Sequence, residues 1–295
     1  MTGKAPRLRD MDVQFSLDGV SDLPLLFQRR AEAAQSALNR WPVHHALRYG
    51  PKQGETLNLF PADSAQSSVG GAPVLFFIHG GFWRSLDADL FSFLADGFVP
   101  FGAMLVVIDY PLMPDVRLAD VLASCARALH WTHANVADYG GDPNRITICG
   151  NSAGGHLVAE LACADAPHSC GSSAQGAGIP IAAAVPISGI YDLEPVTRSF
   201  QDDSLTLTAS EVADFSPLTR RYRSVVPMLV AVGADETTEF LRQTDAFADL
   251  CTRAGQPSEA LHVPGTNHVS VLTEALAVPD HSFNRRVRAL MGLAV

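Results

Sequence analysis

The sequence predicts an α/β fold: a mostly parallel central sheet with helices on both faces, plus a small cap and an N-terminal helical segment. Three observations point there. Strand-length apolar runs such as Val74–Ile78 and Met104–Ile108 alternate with stretches at helical spacing along most of the chain, the order that builds parallel βα units. Those runs are apolar at every position, as strands buried on both faces must be. Several of them end in loops rich in Gly, Ser, Asp and His, and in a parallel sheet ligands bind at the carboxyl ends of the strands.

Residues 22–40 place Leu25, Leu26, Ala33, Ala37 and Leu38 near helical spacing, and Trp41-Pro42 stops the helix. Thr56–Phe60 alternates as a strand and ends at Pro61, and the Ser/Gly-rich stretch from Asp63 to Ala72 reads as an exposed loop. Next come a strand over 73–78, a helix around Asp87–Asp96, a strand over 103–108 and a long helix over 116–138. Gly140-Gly141-Asp142-Pro143 breaks that helix before the strand at Ile146–Cys149. Residues 165–180 are small and polar and read as a surface loop. Strands follow at 181–187, 226–232 and 258–263, with a helix to about Ala254 and a terminal helix over 283–292; the irregular stretch 194–224 is a candidate cap. No repeat or composition shift marks a second core, so residues 46–295 are expected to form one domain, with 1–45 as an N-terminal helical extension or lid.

Among 295 residues, 47% are hydrophobic and 18% charged, which is enough apolar material for a large core and excludes disorder. A net charge of -10 without any Lys/Arg run argues against nucleic-acid binding. The polar start Met1–Asp12 lacks a signal-peptide core, and no apolar run reaches the roughly 20 residues that span a bilayer. The cysteines (Cys125, Cys149, Cys163, Cys170, Cys251) are odd in number and scattered, as expected of thiols in a reducing compartment. A cytoplasmic protein is the expectation. No metal-ligand spacing or phosphate loop is present, so no metal or cofactor is expected. The expected partner is a small molecule, with neither nucleic acid nor membrane; a homodimer is left open.

The chemistry concentrates in Gly150-Asn151-Ser152-Ala153-Gly154, lying between the strand at Ile146–Cys149 and a helix. This fits G-x-S-x-G, a strained strand-to-helix turn that exposes a serine hydroxyl. Such a hydroxyl needs a base to remove its proton, and the base needs a carboxylate to orient it. In the order Ser, acid, His, the candidates are Asp235 and His268, each just past a strand. Glu236 and Asp192 are alternative acids; Asp235 is preferred over Glu236 because it lies nearer the strand end. His44, His45, His130, His133, His168 and His281 have no supporting context, His262 lies within a strand, and His156 is better placed to pack beneath the turn. His79-Gly80-Gly81 follows a fully apolar strand. The N–H groups of Gly80, Gly81 and Ala153 can form an oxyanion hole, worth about 3 kcal/mol or more per donor.

Together these motifs resemble the α/β-hydrolase superfamily, in its hormone-sensitive-lipase-like branch. More narrowly they resemble the kynurenine formamidase (arylformamidase) group. The resemblance rests on His79-Gly80-Gly81-Phe82-Trp83, Tyr49-Gly50, Leu57–Pro61, Tyr139–Pro143, Gly150–His156, Ser188–Leu193 and Glu239–Gln243, and covers about residues 45 to 293. Asp109-Tyr110-Pro111-Leu112-Met113-Pro114-Asp115 departs from the D-Y-R-L-A-P-E of esterase relatives. The resemblance implies hydrolysis of an N-formyl aryl amide to formate and an arylamine, with carboxylesterase or another amidase activity as the alternative. It further implies substrate-binding roles for His79, Phe82, Trp83, Tyr110, Asn151 and Tyr191. A catalytically inactive ligand-binding protein on the same fold is the non-enzyme alternative; relatives of that kind lack the histidine that His268 supplies here.

Overall fold

The computed structural model describes residues 9–63, 70–163, 179–219 and 226–294. Among the described residues eight strands form one sheet: β1 (His44–Arg48), β2 (Thr56–Phe60), β3 (Ala72–Ile78), β4 (Met104–Ile108), β5 (Gly141–Asn151), β6 (Ile181–Ile187), β7 (Met228–Gly233) and β8 (Ser258–Val263). Their order is β1-β2-β4-β3-β5-β6-β7-β8. β2 runs antiparallel to both β1 and β4, and all the remaining pairs are parallel.

The helices are α1 (Leu23–Arg40), α2 (Ala95–Phe98), α3 (Leu118–Asn135), α4 (Ala153–Leu161), α5 (Glu194–Thr197), α6 (Asp202–Leu205), α7 (Ala209–Asp214), α8 (Thr238–Arg253) and α9 (Ser282–Leu290). The uniformly apolar strands divide their residues between two cores, because successive side chains point to opposite faces. Val74, Phe76 and Ile78 of β3 pack with Val121 and Leu129 of α3, Leu157 of α4 and Phe247 of α8. Leu75 and Phe77 join Ala34 of α1, Phe91, Phe98, Leu272, and Phe283 and Val287 of α9 on the other face.

The expected helix around Asp87–Asp96 is instead a 3-10 turn over Asp89–Leu94 that continues into α2. β1 begins at His44, inside the expected 1–45 extension, and its mostly exposed side chains give it no hydrophobic alternation. A π-helical turn over Val271–Leu276 was also not apparent from the sequence. The candidate cap 194–224 contains the three short helices α5, α6 and α7. Residues 164–178, with His168 and Cys170, and 220–225, 64–69 and 1–8 lie outside the described residues. Cys125, Cys149, Cys163 and Cys251 are buried. Among the described residues no helix is long and apolar enough to cross a membrane.

Candidate active site

The loops after β3, β5, β7 and β8 converge at one end of the sheet, as the parallel register requires. At the end of β5 the chain turns abruptly into α4. Ser152 takes φ 58° and ψ −121° there, a sparsely populated conformation for a residue with a Cβ and one that surrounding bonds must enforce. Its N–H donates to Ile187 O at 2.8 Å, and its carbonyl accepts from His156 N at 3.1 Å. Only glycine fits at Gly154, where a Cβ would sit 2.0 Å from Ile78 O. Ala153 is the first residue of α4, so its N–H has no partner within the helix and is available to a ligand.

The loop after β3 lies directly over this turn. A Cβ on Gly80 would meet Asn151 O at 2.8 Å and Ser152 Cβ at 3.0 Å. Gly80 thus brings the proposed oxyanion loop into contact with the proposed nucleophile, and Gly81, at φ 110°, continues it along a cavity wall.

His79 holds this loop from behind. It is fully buried, its Nδ1 lies 2.7 Å from Gly80 O, and its Nε2 is 3.9 Å from Asp109 Oδ1. A carbonyl only accepts, so Nδ1 carries the proton. Burial pushes the imidazole pKa down to about 4, so the ring is neutral. Tyr110 stacks on it at 4.4 Å and donates its hydroxyl to His79 O at 3.0 Å.

The histidine past β8 finds a different acid from the one preferred on sequence. His268 Nδ1 lies 2.6 Å from Glu236 Oε2, and the Glu236 side chain is wholly buried. The other oxygen, Oε1, accepts from Ser188 Oγ at 2.6 Å and from Gly233 N at 2.8 Å. Three donors fix this carboxylate, which accepts the Nδ1 proton and leaves Nε2 as the nitrogen that can serve a serine. Asp235 is exposed, with its backbone N–H committed to Thr266 O at 2.9 Å. The structure therefore pairs His268 with Glu236 and not with Asp235, the acid preferred on sequence. Being one residue later and one methylene longer, Glu236 can fold back over the end of β7.

A cavity of about 960 Å³ opens beside His268, and Glu236, Asp235, Gly81 and Phe82 also reach its wall. Much of that wall comes from residues that sequence reasoning did not single out. They include Phe15 and its neighbours in the N-terminal segment, Arg84, Phe200 and Gln201 of the cap, and Phe240 of α8. Phe15 meets Phe82 and Phe240 edge-on at 6.3 and 5.7 Å, and Phe240 lies 4.5 Å from the His268 ring. The N-terminal segment is tied down through Gln14, whose side-chain oxygen accepts from Thr238 Oγ1 and Glu239 N. Phe15 O accepts from Gln201 Nε2 at 3.0 Å.

Of the six residues expected to bind substrate, only Phe82 lines this cavity. Trp83 is wholly buried with its ring edge-on to His156 at 5.2 Å, and Tyr191 is wholly buried against Phe247 at 4.1 Å. Tyr110 and His79 pack behind the loop after β3, and Asn151 lies beneath it. These five residues lie outside the cavity's lining, as do Ser152, Gly80 and Ala153. Among the described residues no group of His, Cys, Asp and Glu is arranged to hold a metal ion.

A family model described as the alpha/beta hydrolase fold matches residues 75–272. The chain is 27% identical over 273 residues to a kynurenine formamidase of Salmo salar, covering 90% of this chain and 85% of that protein. It is 26% identical to the kynurenine formamidase of Danio rerio, covering 77% of this chain and 74% of the relative. "Probable carboxylic ester hydrolase LipM" of Mycobacterium tuberculosis is 31% identical over 68% of this chain and half of its own length. Among solved structures, a candidate thioesterase from Silicibacter sp. TM1040 superposes with TM-score 0.79 at 24% identity, covering 96% of this chain and 99% of that one. By the span of the family match and the shared sheet, the chain belongs to the alpha/beta hydrolase fold family.

Proposed function

We propose that this protein is a serine hydrolase that cleaves an N-formyl aryl amide to formate and an arylamine. The observation that carries the reading is the 2.6 Å His268–Glu236 pair at the wall of an aromatic cavity that Gly81 also lines, with the neighbouring Gly80 packed on the strained Ser152 turn. In this mechanism Ser152 Oγ attacks the formyl carbon while His268 Nε2 takes its proton. Glu236 holds the required tautomer and stabilises the imidazolium. The N–H groups of Gly80, Gly81 and Ala153 receive the oxyanion. As the intermediate collapses, His268 returns the proton to the amide nitrogen, the C–N bond breaks and the arylamine departs. Water, deprotonated by His268, then attacks the formyl-serine ester; formate leaves and Ser152 regains its proton.

A formyl group has no side chain to accommodate near the nucleophile, and the edge-on rings of Phe15, Phe82 and Phe240 suit an aryl leaving group. The kynurenine formamidase relatives support the same substrate class. The esterase relative favours a second reading, hydrolysis of small carboxylic esters by the same residues. The test is kcat/KM on formanilides against short p-nitrophenyl esters. Formanilide turnover that matches or exceeds ester turnover supports the amidase; a ratio far in favour of the esters removes it.

A further inference from the structure

Ser188 follows β6, the strand between β5 and β7, and so stands between the proposed nucleophile and the carboxylate that pairs with His268. The peptide joining Ile187 to Ser188 faces both neighbouring strands. Its carbonyl accepts from Ser152 N at 2.8 Å, and its N–H donates to Ala231 O of β7 at 2.7 Å. Ser188 takes φ 50°, a left-handed conformation that a residue with a Cβ adopts at a cost and keeps only where its surroundings enforce it. The surroundings do so here. Ser188 is wholly buried, and just beyond it Gln243 Oε1 of α8 accepts from Tyr191 N at 2.6 Å and Asp192 N at 2.9 Å. The strained turn aims Ser188 Oγ at Glu236 Oε1, 2.6 Å away, while Oε2 of the same carboxylate lies against His268. The two donors to Oε1 therefore differ. Gly233 N ties the carboxylate to its own strand, whereas Ser188 ties it to the peptide that carries the Ser152 turn.

We propose that Ser188 is a positioning residue that sets Glu236, and through it His268, in register with Ser152. The proposal rests on the hydrolase reading of the site and adds to it that the acid is located from the nucleophile's side of the sheet. A hydroxyl that donates to a buried carboxylate makes a charge-assisted bond, stronger than one between neutral groups. Its loss frees Glu236 to shift relative to the nucleophile, and small misplacements of this kind are costly in rate.

The test is the rate at which a fluorophosphonate labels Ser152 in the full chain, a readout that needs no substrate. Ser188→Ala should slow labelling about 10- to 100-fold, the range of a hydrogen bond to a charged group. Ser188→Gly lacks the hydroxyl but adopts a positive φ without strain, and should slow it as much. The deciding measurement repeats Ser188→Ala in a Glu236→Gln protein. There the further loss should stay within about threefold, because the hydroxyl acts only through the carboxylate. A merely structural Ser188 would cost the same factor in both backgrounds, which overturns the proposal. Near-native labelling by either single Ser188 variant, or loss of the cooperative melt in both, also overturns it. Failure of the hydrolase reading shows separately, as absent labelling of Ser152 in the unaltered protein.

Discussion

Replacing Glu236 by Gln separates the two neighbouring acids most sharply. The native carboxylate accepts from His268 at 2.6 Å, from Ser188 Oγ at 2.6 Å and from Gly233 N at 2.8 Å. The amide of Gln can keep its oxygen toward Ser188 and Gly233 only by presenting its NH2 to His268. Nδ1 must then be the acceptor and Nε2 the protonated nitrogen, the wrong tautomer for the base proposed for Ser152. The imidazolium formed in the transition state also loses its buried counter-charge. Loss of the orienting acid in a serine triad costs about 10⁴ in kcat, or about 5 kcal/mol. Glu236→Gln is therefore expected to reduce kcat by about 10³ to 10⁴ while circular dichroism and the cooperative melt are retained. Asp235→Asn, at an exposed position, should stay within about threefold of the unaltered enzyme. An initial-rate assay on formanilide or a p-nitrophenyl ester reads both variants. Loss of activity in Asp235→Asn comparable with that in Glu236→Gln, or more than a tenth of native kcat left in Glu236→Gln, would refute the assignment.

Gly80→Ala places a Cβ 2.8 Å from Asn151 O and 3.0 Å from Ser152 Cβ, so the oxyanion loop must lift; kcat should fall about 10²-fold or more with KM little altered, and near-native kcat would count against that loop. His79 stays neutral down to about pH 4 in the folded chain but titrates near 6.5 when unfolded. The unfolded state therefore takes up the proton first, and stability is lost as pH falls from 6.5 toward 4, by about 3 kcal/mol in all. Urea unfolding of His79→Gln should show a correspondingly shallower acid slope than the native chain; identical slopes would contradict a buried neutral His79. Phe15→Ala opens the wall facing Phe82 and Phe240 and should raise KM for aryl substrates about tenfold, more than it lowers kcat; an unaltered KM would remove the N-terminal segment from the binding site.

The fold was legible because the strands buried on both faces, β3 and β4 above all, are apolar at every position, a pattern that only a covered parallel sheet makes economical. β1 was not legible, since an edge strand with exposed side chains has no apolar face to announce it. At the site, the strained turn at Ser152 and the packing of the His79–Gly81 loop on it could be read because close backbone approach demands glycine at fixed spacing, and sequence records glycine directly. The carboxylate partner of His268 could not be found from nearness to the strand end. What places Glu236 is the path of its side chain back to Gly233 N, which depends on the turn between β7 and α8. The aromatic residues next to the motif were misleading for a related reason. Trp83 follows Phe82 at once, yet the loop turns one ring into the cavity and the other into the core beside His156. Phe15, Phe200 and Arg84 reach the cavity only through tertiary packing of the N-terminal segment and the cap, and no local pattern marks them.

The central claim is that Ser152 is a nucleophile activated by His268. Incubating the full chain with a fluorophosphonate probe and locating the adduct by mass spectrometry tests it directly. Stoichiometric labelling on Ser152, abolished by Ser152→Ala and strongly slowed by His268→Gln, is the expected result. A folded protein that takes no label, or one labelled elsewhere and still active as Ser152→Ala, would contradict the account.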